Sequence, residues 1–100
     1  MATEVLEERL IELVRARYDK NPESTLCPSE VPRTLEKDGE IDSGTWRDYM
    51  DPTREIVYRL RDAGVLQILQ KGEVISSTGP SEVKGPIRVR LTPKITIQKP

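Results

Sequence analysis

The stretch from Met50 to Gly64, MDPTREIVYRLRDAG, most constrains the fold, because it is punctuated as a helix at both ends. Asp51 is a good N-cap, and Pro52 suits the first helical position, where a missing N–H costs nothing. Gly64 stands where the chain needs a left-handed residue to leave the helix. Thr53, Ile56, Val57, Leu60 and Ala63 recur on one side at helical spacing. At about 100° per residue, Arg54, Tyr58 and Arg61 lie within about 60° of one another on the opposite side. One face can therefore pack on a core while the other offers guanidiniums and a phenol. The pattern predicts the second helix of a helix-turn-helix, with a β-hairpin after it.

The flanking segments supply partners for that helix. Thr3 to about Tyr18 forms a first helix, with Val5, Leu6, Leu10, Leu13 and Val14 as its apolar stripe and Thr3 as its cap. Asn21-Pro22 marks a loop, and Ser24-Thr25-Leu26 can add a minor edge strand. CPSEVPRTLEKDG encodes the next helix. If Cys27 caps it, Pro32 falls mid-helix, where it removes a hydrogen bond and clashes with the preceding turn. If Ser29 caps it, Pro32 falls within the first turn and is harmless, so the later start or an irregular first turn is expected. Val31 and Leu35 face inward. Asp38 to Gly44 is a polar loop, and Thr45 to Met50 a short helical turn with Trp46 and Met50 on its buried side.

Beyond Gly64 the period changes. Val65 to Gln70 reads as a strand, Lys71-Gly72 as a turn, Glu73-Val74-Ile75 as a short extension and Ser76 to Lys84 as a turn-rich loop. Gly85 to Leu91 (GPIRVRL) alternates cleanly, placing Ile87, Val89 and Leu91 inward and Arg88 and Arg90 outward. Residues 92–100 form a tail in which Ile95-Thr96-Ile97 can pair as an extra edge strand. The order of elements over residues 1–91 is that of an α+β winged helix: a three-helix core closed by a small antiparallel hairpin whose loop is the wing.

TLCPSEV, WRDYM, LRDAGVLQILQKG and GPIRVRL, spanning about Thr25 to Leu91, also carry a family likeness. In that order they resemble a small bacterial family catalogued as a domain of unknown function. The resemblance implies a winged-helix fold and no established activity, so it transfers no functional residues. Pro32 and the insert from Lys37 to Gly44 depart from the pattern.

Composition narrows the function. The net charge is −1, yet residues 1–50 carry 7 Lys/Arg against 12 Asp/Glu, and residues 51–100 carry 9 against 5. Such asymmetry can place a basic face on a nearly neutral protein, or be no more than a solvated surface. A single cysteine excludes an internal disulfide, and without histidine neither a Ser-His nor a Cys-His nucleophile can be built. No glycine-rich phosphate loop opens a helix, and no zinc ligand set exists. With no long apolar run and no leader-like N-terminus, a non-enzymatic, cofactor-free, cytoplasmic protein without a membrane segment is expected.

The leading expectation is a double-stranded DNA-binding module in transcriptional control. Arg54, Tyr58 and Arg61 would contact DNA from the helix, and Lys71, Lys84, Arg88 and Arg90 from the wing. The alternative is a protein-interaction module, for which the acidic first half and residues 95–97 are the better surfaces. Trp46 is expected as a core anchor, although a partly exposed indole would mark a partner surface. Cys27 is expected as a buried small apolar residue.

Overall fold

The structure, a computed structural model, describes residues 2–75 and 85–92. Its elements run α1 (Ala2–Lys20), α2 (Glu30–Lys37), a 3-10 turn (Trp46–Tyr49), α3 (Met50–Asp62), β1 (Leu66–Gln70), β2 (Glu73–Ile75) and β3 (Arg88–Leu91). The strands form one antiparallel sheet in the order β2-β1-β3, a winged-helix-like arrangement. Leu26 bridges Val89 on the far side of β3, with both backbone bonds at 2.9 Å. The short segment before α2 is thus a one-residue strand. The described sheet lies against the helices through β1 and β3.

The core is mainly aliphatic, with no Phe in the chain and Tyr58 as its one aromatic member among the described residues. Leu6, Leu10 and Val14 of α1 meet Val31 and Leu35 of α2, Ile56, Val57 and Leu60 of α3, Leu26, and Leu66, Ile68, Val89 and Leu91 of the sheet. Burial of each such side chain stabilises the fold by about 1.5–3 kcal/mol before ordering costs. Ion pairs tie the helices together around this core: Arg59–Glu7 joins α3 to α1 at 2.6 Å, and Arg17–Glu30 joins α1 to the start of α2 at 2.7 Å. Their partly exposed side chains make them fasteners of geometry more than sources of stability.

The ends of the helices depart from expectation in informative ways. α1 begins at Ala2, so Thr3 lies inside the helix instead of capping it. α2 begins at Glu30 with Ser29 at the N-cap position, and Pro32 takes the third helical position without breaking a bond. Ser29 makes no side-chain cap. The end is secured instead by Glu30, whose Oε2 accepts the Cys27 N–H at 3.5 Å while its Oε1 holds Arg17. The first turn is irregular, with Glu30 N–H bonded to Cys27 O and Val31 N–H to Pro28 O.

α3 begins at Met50, not at Pro52, because the 3-10 turn runs directly into it. Tyr49 holds the N-cap position, and Asp51 and Pro52 fall within the first turn. Thr53, 1 % exposed, donates its hydroxyl to Tyr49 O at 2.6 Å and locks this junction. The C-terminal end matches expectation. Gly64 has φ +84°, its N–H bonds to Arg61 O, and the Val65 N–H bonds to Leu60 O at 2.9 Å, a Schellman termination. Ala63 is exposed instead of facing inward.

The connection from Asp38 to Tyr49 is much longer than the three or four residues of a compact helix-turn-helix. β1 and β2 are joined by Lys71-Gly72, whose φ values of 55° and 83° are those of a type I′ turn. Gln70 and Glu73 therefore face each other across the ladder. On the other side of β1, Thr92 N–H bonds to Val65 O, and the Thr92 side chain is buried, so the packed body continues one residue past Leu91. No described helix is long and apolar enough to cross a membrane.

Candidate functional site

The cationic face expected on α3 is only partly open. Arg54 keeps 52 % of its side chain exposed, and its Nη1 lies 3.9 Å from Asp51 Oδ1. Tyr58 is a member of the core cluster and 5 % exposed, which corrects its assignment to a solvent face. Arg61 is nine-tenths covered. Its guanidinium lies 4.9 Å from the Tyr58 ring centre, bonds Asp62 Oδ1 through Nε and Nη2, and leaves Nη1 buried without a hydrogen-bond partner among the described residues. The physical reason is that α3 is packed against α1, α2, the 3-10 turn and β1. Its covered sector is wider than one helical stripe. Burial disfavours the phenolate and raises the Tyr58 pKa above 10.0, while the charges of Arg61 and Arg54 pull the other way.

The hairpin cations are arranged differently. Arg88 is exposed, and its Nε and Nη2 donate to Thr25 Oγ1 and Thr25 O at 3.0 Å. Arg90 Nε donates to Gln67 Oε1 at 2.8 Å. Both acceptor residues are neutral, so among the described residues neither arginine's charge is compensated by a carboxylate. Lys71 is exposed at the tip of the β1–β2 turn. Lys84, the loop from Ser76 and the segment 95–97 lie outside the described residues.

A groove of about 410 Å³ opens where the starts of α2 and α3 meet the start of the last strand. Cys27 and Ser29 line one end, with Sγ and Oγ 3.2 Å apart. Trp46, Arg47 and Arg54 line another side, and Gly85, Pro86 and Ile87 close it. Segments of three sequence blocks, CPSEV, WRDYM and GPIRVRL, thus converge on one place in the fold. Cys27 is half-buried at this groove instead of sealed in the core.

Trp46 is likewise half-buried and not a core anchor. Arg33 and Arg47 both pack on its ring, with guanidinium carbons 4.6 and 4.7 Å from the centroid. Periodicity could not have paired these arginines, because Arg33 lies on α2 and Arg47 in a turn, and only the fold brings them to one indole. The single available signal was the tryptophan itself, at the edge of a short polar segment. Among the described residues, no cluster of three His, Cys, Asp or Glu side chains could hold a metal ion.

No curated protein matches the chain. A family model, that of a protein of unknown function (DUF3253), matches residues 3–92, which takes in every described element except the first residue of α1. The chain therefore belongs to that family.

Proposed function

We propose that this domain binds double-stranded DNA without catalysis and acts in transcriptional control. The observation that carries the reading is how its arginines are neutralised. On the α1 side, Arg9, Arg17 and Arg59 are each paired with a carboxylate. Among the described residues, Arg88 and Arg90 bond only neutral oxygens, and Arg54 has a carboxylate only at 3.9 Å. A winged-helix-like body with charge left over at the hairpin and at the start of α3 suits a phosphate backbone. Tyr58 and Arg61 would act from below, bracing that surface, and not by touching bases.

Fluorescence anisotropy with a labelled duplex tests this. With about four phosphate contacts, from Arg54, Lys71, Arg88 and Arg90, affinity should fall about a hundredfold between roughly 50 and 200 mM salt. Arg54→Gln with Lys71→Gln should weaken binding and flatten that slope. A second reading, a protein-interaction module, is favoured by the exposed acids Asp51, Glu55 and Asp62 on α3, which would repel phosphate. Absence of duplex binding at about 20 mM salt, where such electrostatics are strongest, would decide for it.

A further inference from the structure

We infer that Arg33, Trp46 and Arg47 form a phosphate-binding clamp. Its two arginines are not among the helix and hairpin contacts proposed above, and it does not require duplex binding. Two guanidiniums packed against one ring would ordinarily repel each other. The indole face attracts both, and it fixes planes that would otherwise be free to rotate. The turn that carries the ring is itself anchored, since the Trp46 backbone N–H donates to Glu36 Oε1 at 3.1 Å.

Among the described residues, neither Arg33 nor Arg47 makes an ion pair, although both are exposed and carboxylates are near in sequence. Glu36 is occupied by the Trp46 amide, and Asp51 is 93 % exposed beside Arg54. Each guanidinium is thus a pre-oriented fork with unused N–H donors, and such a fork takes phosphate oxygens bidentately. Arg54, which lines the same groove as Arg47, adds a third positive charge within the same surface. The phosphate can come from a nucleic-acid backbone or from a small phosphorylated ligand entering the groove.

The chain has one tryptophan, so its fluorescence reports this site alone. Inorganic phosphate and pyrophosphate should change Trp46 emission saturably, while sodium chloride at matched ionic strength should not. Arg33→Gln with Arg47→Gln should weaken the response by about tenfold or more, as expected when charge-assisted bidentate bonds are removed. Arg33→Lys with Arg47→Lys should weaken it too, because lysine keeps the charge and loses the planar fork. Both positions are exposed, so an unchanged circular dichroism spectrum and Tm should accompany these variants.

A labelled duplex separates the sources. If duplex binding alters Trp46 emission, and the glutamine pair lowers the salt slope by about 2, the clamp grips nucleic acid. If phosphate titrates Trp46 but the duplex does not bind, the clamp stands with a small ligand and the DNA reading fails. Emission indifferent to phosphate, pyrophosphate and duplex, or equal responses from wild type and the glutamine pair, would overturn the clamp even if anisotropy showed DNA bound elsewhere.

Discussion

Replacing Gly64 by alanine tests the junction between α3 and the hairpin with little else changed. Gly64 sits at φ +84°, and a Cβ built there meets no atom within 4 Å, so no clash contributes. The cost is conformational alone: an L-residue held left-handed loses about 1–2 kcal/mol. Alanine recovers part of this by narrowing the unfolded ensemble, which leaves a net destabilisation of about 1 kcal/mol. For a domain of this size that lowers Tm by about 4–8 °C. Asparagine, whose side chain tolerates the left-handed region, should cost less, giving the order Gly, Asn, Ala in falling stability. Thermal and urea unfolding followed by circular dichroism measure both variants. The sign is decisive, because at a residue of ordinary negative φ the same Gly→Ala change stabilises by about 0.4–1 kcal/mol. A rise in Tm for Gly64→Ala, or alanine more stable than asparagine, would show that α3 does not end in this termination, and the placement of β1 would fall with it.

Two further perturbations probe the core and its titration. Leu26→Ala removes a side chain with no exposed surface from the segment bridged to Val89, and should cost about 2–5 kcal/mol in urea unfolding. A loss under about 1 kcal/mol would mean that this segment is not part of the sheet's packing. Tyr58 should make stability depend on pH in the alkaline range. Its pKa is raised in the folded state by burial, so its contribution is intact below 10.0, the unfolded value, and is lost as pH rises from there through the folded pKa. Tyr58→Phe should remove that component, so the stability difference between the two proteins would change above pH 10.0 and stay constant below it. A difference that stays flat across this range would place the phenol in water.

Much of this fold is legible as periodicity and punctuation, because both act over a few residues. The stripes of α1 and α3, the stop at Gly64, the harmless position of Pro32 and the alternation of Ile87, Val89 and Leu91 all follow from local geometry. What periodicity leaves open is how much of a helix its neighbours cover. Counting faces on α3 places Tyr58 and Arg61 in solvent, yet both are covered in the folded chain, where α3 packs against several other elements. The start of α3 was misplaced for a related reason. A 3-10 turn can feed a helix from behind, so Asp51 and Pro52 never become its boundary. The meeting of Arg33 and Arg47 on Trp46, and of three separate sequence blocks around one groove, depends on contacts between residues far apart in the chain. The linear pattern thus determined which segments are helices and strands and which of their faces are oily. Only tertiary packing decided which charges remain unneutralised, because that depends on which side chains the folded chain brings within reach of one another.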